Sequence, residues 1–266
     1  MTRLRRRPAL DVRVEIRGEL PREDAEYVRT RALDLVAVLG PGTRSARVRL
    51  TRLRDRGVGR PAVAQAGVEL DEVGPVRVQL AAVTAREAVD LALGTLTGRA
   101  GRLREHGHIG LAAVHESAYR PQFAARPLAE RRIARRKPVV PALRTPEQAA
   151  RDMLRLDRGF HLFTDEGSGQ DSVVHRHSPL GGIGLLRALR TEGGAVCETL
   201  PLDEHPEPAP CLDLRQAARQ LWLTGRPFVF HTDPGDGRGR VLYRRYDGHY
   251  GLIAPVPDAG RRDGSV

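Results

Sequence analysis

The residues of this chain best suited to chemistry are its arginines. Of 44 basic residues, Lys137 is the sole lysine. Mutational bias is one reading of arginine over lysine, but it does not set the balance against acids. A guanidinium stays charged and presents forked N–H donors that match the oxygens of a phosphate. Arg47 and Arg49 alternate with apolar residues and should point away from a buried face. Arg99, Arg102 and Arg104 crowd the end of a helical stretch, where cations also suit the helix dipole. These five are the candidates for docking on a phosphate-rich polymer by charge and shape. Other groups lack the companions their chemistry needs. Gly235-Asp-Gly-Arg-Gly239 leads from one strand into another, so it reads as a hairpin turn and not a nucleotide loop. His161, His175 and His177 have no acidic or cysteine partners at ligand spacing and read as surface histidines, with no metal. Cys197 and Cys211 fit neither a C-x-x-C nor a zinc pattern and read as free thiols of a reducing cytoplasm. No Ser-His-Asp, Walker or paired-carboxylate set stands out, so no enzyme and no cofactor is expected.

The charge is uneven. Residues 1–105 hold 21 basic and 14 acidic residues, and residues 106–144 hold 8 and 2; residues 145–266 hold 15 and 17. All of the excess positive charge therefore lies in the first half, so one part should meet a polyanion while another does something else. No apolar run approaches the roughly 20 residues needed to cross a bilayer, so neither membrane attachment nor secretion is expected.

These arginines need elements to position them. Val12, Val14 and Ile16 alternate with charged residues, as in a strand with one buried face. Pro21 opens a helix carrying Ala25, Val28, Ala32, Leu35, Val36 and Leu39 at helical spacing, and Gly40-Pro-Gly stops it. Ala46, Val48 and Leu50 form a second strand; 62–70 and 76–82 form two more, around a turn at 71–75. Thr84-Ala-Arg-Glu87 is a capping box for a long second helix. The order β-α-β-β-β-α predicts one α+β domain over 1–105, both helices on one sheet face. Residues 106–144, with the run Arg131-Arg-Ile-Ala-Arg-Arg-Lys137, read as a flexible basic linker that could also touch phosphates.

The remaining residues contain a repeat. At an offset of 68, 12 of the 29 positions from 148 to 176 are identical, including Arg158 with Arg226, Phe160 with Phe228 and Thr164-Asp165 with Thr232-Asp233. Each copy reads as a helix, a hairpin with a Gly-rich turn and a third strand, over 145–186 and 212–266, joined by a connector at 187–211. Each is too small to bury a core alone, so the two should pair with each other or with another chain. Phe160, Phe228, Tyr243, Tyr246 and Tyr250 are the candidates for that pairing. These tyrosines and Trp222 read as packing residues in preference to stacking platforms for RNA.

Arg240-Val-Leu-Tyr-Arg-Arg-Tyr-Asp-Gly-His-Tyr-Gly-Leu-Ile-Ala-Pro255 resembles the C-terminal signature of long-form ribosome hibernation promoting factors. Ala88-Val-Asp-Leu-Ala-Leu93, with Leu96, Arg99 and Arg102-Leu-Arg104, is similar to the last helix of their ribosome-binding domain, whose element order is the one read above. The resemblance implies a ribosome-binding inhibitor of translation. Its first domain would sit on the small subunit and its rRNA, over the messenger channel and tRNA sites, under starvation or slow growth. It also implies a tail that joins two ribosomes. This chain departs there: it carries two tail copies, and His175-Arg-His-Ser-Pro-Leu-Gly-Gly replaces the tyrosine signature in the first. The tether should pair the copies within one chain, leaving ribosomes single. A transcription modulator and a general RNA-binding protein with an assembly tail remain as the other readings.

Overall fold

The alternation of apolar and charged residues becomes a four-stranded sheet. The computed structural model describes residues 11–54, 57–106, 119–177, 182–189 and 202–256. They fall into two units, Met1–Gln122 with Leu154–Arg158, and Phe123–Met153 with Gly159–Val266. The first unit runs β1 (Asp11–Arg17), α1 (Arg22–Leu39), β2 (Thr43–Arg52), β3 (Ala62–Leu70), β4 (Gly74–Ala82) and α2 (Ala85–His106). The strands lie in chain order, β1 parallel to β2 and the rest antiparallel. One face is apolar: Ala46, Val48, Leu50, Ala64, Ala66, Val68, Val76 and Val78 pack against Val28, Ala32 and Leu35 of α1 and Ala88, Ala92 and Leu96 of α2. Thr84 opens α2 by accepting the Glu87 N–H through Oγ1 at 3.2 Å, as an N-cap does.

An edge strand leaves N–H and C=O groups without ladder partners, and three of those on β4 are met from outside the sheet. Arg99 Nη1 donates to the Arg77 carbonyl at 3.0 Å, the Gln79 N–H donates to Asp157 Oδ2 at 2.8 Å, and the Ala81 N–H donates to the Tyr119 carbonyl at 2.6 Å. Asp157 holds φ at +50°, a region that favours glycine. Its carboxylate, only 2% exposed, fixes it there by taking Arg99 at 3.2 Å and Arg120 through two contacts, at 2.6 and 3.0 Å.

The second unit is built from the repeat. The first copy is α3 (Pro146–Arg155), β7 (Phe160–Asp165), β8 (Asp171–His177) and β9 (Gly182–Arg187), the second α4 (Leu214–Thr224), β11 (Phe228–Thr232), β12 (Gly239–Arg244) and β13 (Tyr250–Pro255). The Asp213 carboxylate and Gln216 form the capping box of α4, and Thr145 and Gln148 exchange the same pair of contacts before α3. The run 235–239 is the β11–β12 hairpin turn, with Gly237 at φ +66°.

Two expectations are corrected. Residues 107–118 lie outside the described residues, but the rest of the expected linker is not a free tether. It forms β5 (Ile133–Val139), which runs parallel to β13, and β6 (Leu143–Arg144), which runs parallel to β7. The connector supplies β10 (Leu202–Glu204), parallel to β9. Each sheet is thus completed by the strand that precedes the other copy's helix. Asp203 pairs with Gly184 and Arg135 with Gly251, equivalent positions of the repeat. Both strands escape periodicity because their side chains stay largely exposed and only backbone pairs. Between the sheets Leu162, Val173, Phe230 and Val241 form one apolar cluster drawn from both copies, while Ala217, Leu221, Val229, Leu242 and Leu252 form a core under α4.

His231 breaks the likeness of the copies, since Phe163 holds its place in the first. The ring is fully buried; Nδ1 lies 2.9 Å from the Leu212 carbonyl and Nε2 has no hydrogen-bond partner. Burial pushes its pKa below the ordinary value, outweighing the opposite pull of the Thr232 and Leu212 backbone.

Two outcomes follow from these buried groups. Arg99→Ala should lower unfolding free energy by about 2–3 kcal/mol in a urea titration. That is less than the roughly 3–5 kcal/mol of a fully orphaned buried charge, because Arg120 still holds Asp157. His231 has a depressed folded pKa, so its contribution is complete above the unfolded value, about 6.5, and is lost as pH falls through the folded one. His231→Phe should therefore flatten the fall of melting temperature between about pH 7 and 5.

Candidate nucleic-acid interface

β2 places Arg47 and Arg49 on the open face of the first sheet, because Ala46, Val48 and Leu50 take the helix side. Strand register extends this face into rows. Arg13, Arg47, Gly67 and Arg77 are successive partners across β1, β2, β3 and β4, and all three arginines are exposed. A Cβ on Gly67 would lie 3.1 Å from Arg77 Cγ, so the glycine makes room for the Arg77 stem along the row. The next row is Glu15, Arg49, Gln65 and Gln79, with Gln65 donating to Gln79 at 2.9 Å. Glu15 takes Arg17 and Arg49 at 2.6 Å and Arg47 at 3.3 Å. The hydrogen bonds from Arg17 and Arg49 hold its carboxyl below the ordinary value. Asp11 takes Arg13 at 2.8 Å. Carboxylates outnumbered by guanidinium groups lessen the repulsion among them, and the face stays cationic.

The end of α2 is corrected. Arg102 is exposed, but Arg99 is buried in the contacts described above. Arg104 donates to the carbonyls of Leu39, at 2.6 Å, and Pro41, at 3.2 Å, and to Thr43 Oγ1 at 3.3 Å. These are acceptors left by the end of α1, which has no basic residue in its own last turn. The signal for Arg99 was in the spacing, since it falls three residues after Leu96 and four before Leu103, on the buried stripe. Arg13 and Arg77 were missed because only register reveals that they share a row with Arg47.

The tail residues separate as well. The Phe160 and Phe228 ring centroids lie 4.8 Å apart and Phe160 lies 5.7 Å from Tyr243. Tyr243 lies over Gly251, where a Cβ would meet its ring at 2.2 Å. Tyr250 is buried beneath α4, and Tyr246 stacks on Phe123 at 5.4 Å. Trp222 is half exposed on α4. His175, expected at the surface, is half-buried with its ring 5.5 Å from that of Phe228. Cys211 is exposed and free, whereas Cys197 and the side chain of His177 lie outside the described residues. Among the described residues no cluster of three or more histidine, cysteine or acidic side chains could hold a metal ion, and no helix is long and apolar enough to cross a membrane.

Comparison with known proteins bears on this arrangement. The family described as "Sigma 54 modulation/S30EA ribosomal protein C terminus" matches residues 129–185 and again 204–252. The chain is 40% identical over 155 residues to the "Dormancy associated translation inhibitor" of Mycobacterium tuberculosis, in strain CDC 1551 / Oshkosh and in strain ATCC 25618 / H37Rv. That span is 54% of this chain and 55% of the relative, so the chain spans about half the length of the curated relatives it matches. Among solved structures it matches the Thermus thermophilus Protein Y N-terminal domain at 24% identity, covering 35% of this chain and 99% of that one, with a TM-score of 0.28. A ribosomal subunit interface protein from Coxiella burnetii matches at 11% identity, covering 35% and 98%, also with a TM-score of 0.28. The C-terminal domain of the sigma 54 modulation/S30EA ribosomal proteins is thus matched twice, once over each tail copy, and the likeness to the mycobacterial translation inhibitor stands beside it.

Proposed function

We propose that this chain inhibits translation in the cytoplasm by docking its first unit on the rRNA of the small ribosomal subunit, over the messenger and tRNA channel, while its two tail repeats pair within one chain and leave ribosomes single. The observation that carries the docking is the row Arg13, Arg47 and Arg77 with Arg49 beside it, on the sheet face opposite α1 and α2. Such a face suits a folded RNA, whose phosphates and 2′-hydroxyls are met by shape and charge without base reading. The mycobacterial relatives named for translation inhibition support the same direction. Arg47, Arg49 and Arg102 stay as proposed contacts, joined by Arg13 and Arg77. Arg99, which is buried, holds the fold; Arg104, which donates to the Leu39 and Pro41 carbonyls yet stays exposed, remains a proposed contact.

The exchange of β5 and β10 between the tail sheets supports pairing within the chain. A tethered copy faces its mate at an effective concentration on the order of millimolar, far above that of a second chain on dilute ribosomes.

Replacing Arg47, Arg49 and Arg77 together with alanine should weaken cosedimentation with small subunits and lower the slope of log affinity against log salt by about 3, while circular dichroism stays unchanged. Undiminished binding would remove this face from the interface, and equal binding to duplex DNA would favour a transcription modulator. In a sucrose gradient, ribosomes saturated with the full chain should run as single particles carrying the protein; a prominent ribosome-dimer peak would refute the single-ribosome reading.

A further inference from the structure

Phe160 and Phe228 hold the same position in the two repeats, and their rings face each other at 4.8 Å. Asp171 and Gly239 are a second such pair, also 68 residues apart. The Gly239 N–H donates to Asp171 Oδ2 at 2.8 Å, and a Cβ on Gly239 would lie 2.7 Å from Asp171 Cβ. Both pairs therefore mark the axis that relates the copies. At the first pair the copies are alike; at the second they differ in size and charge. The Asp171 side chain, 5% exposed, takes Arg238 Nε at 2.8 Å and Nη2 at 3.2 Å. The mirror contact does not form. Gln170 stands where the second copy has Arg238, and its Oε1 accepts the Leu189 N–H.

We propose that Asp171 and Gly239 determine which repeats pair: a first repeat accepts a second repeat and rejects another first. This rests on the reading that the tail copies pair within the chain. Two first repeats would bring two Asp171 residues onto one axis, Cβ against Cβ, with two carboxylates in a dry interior and glutamine in place of arginine beside them. Like charges so placed disfavour their ionised forms, and a buried charge without its partner is strongly destabilising. Two second repeats would set Gly239 against Gly239, leaving both Arg238 side chains and both backbone N–H groups without the carboxylate that receives them. The surface around Asp171 thus fits one partner, the second repeat, and the tether makes the copy in the same chain the one that is met.

The test uses the full chain with C197S and C211S and spin labels at E166C and P234C, exposed and equivalent positions in the two hairpin turns. F230L is carried throughout, because the Phe230 ring end lies 2.7 Å from a Cβ on Gly239 and the first copy has Leu162 in its place. This parent should give one narrow distance in pulsed electron spin resonance; its absence overturns the pairing reading itself. G239D, which gives the second copy the carboxylate of the first, should cut the narrow fraction by about tenfold. Adding D171G, which returns one carboxylate and one glycine to the axis, should restore roughly half of it or more. A G239D chain that keeps the narrow distance, or a loss that D171G does not reverse, overturns this inference and leaves the pairing reading standing.

Discussion

The tail depends on a backbone constraint. A helix followed by a three-stranded meander leaves the outer edge of its last strand with unmet N–H and C=O groups, and an open edge invites pairing with any chain that offers a strand. In each copy that edge is closed by a strand from outside its own meander, β5 on β13 and β10 on β9. The apolar cluster between the sheets takes Leu162 and Val173 from one copy and Phe230 and Val241 from the other. Units of this size bury too little surface to stand alone, so the exchange of strands and the shared cluster are two sides of one solution.

The same economy of hydrogen bonds sorts the arginines of the first unit. Those within reach of a helix end or the β4 edge act as donors to carbonyls, as Arg99 and Arg104 do. Those on the open sheet face have only a few carboxylates near them and stay at the surface. Residue type alone does not separate the groups; the neighbouring acceptors do.

Much of this was legible in the sequence, and the parts that were not share a cause. Strict alternation located β1 to β4, a capping box located α2, and the 68-residue offset located both tail copies. The strands β5 and β10 were read as linker and connector because an edge strand with exposed side chains carries no period, and the partner of β5 also lies far along the chain. Arg99 was read as a surface cation because charge was weighed before spacing. The arginine row needed register, which follows from strand pairing and is invisible in a linear pattern. The asymmetry of Asp171 and Gly239 was hidden inside a repeat judged by its identities, although the differences decide how the copies fit.

The place of β5 also governs the order in which the molecule can assemble during synthesis. The strand emerges before either tail helix, yet its partner β13 is made after both, so the pairing is among the most distant in the chain. Contacts of that separation form late, and a strand waiting for its partner is exposed to other nascent chains. Residues 134–138 of β5 all lie at the surface and include Arg135, Arg136 and Lys137. A segment so charged remains soluble while it waits and repels its own copies on neighbouring chains. The basic run thus serves as a safeguard on the growing polypeptide before it serves as an edge of the finished sheet.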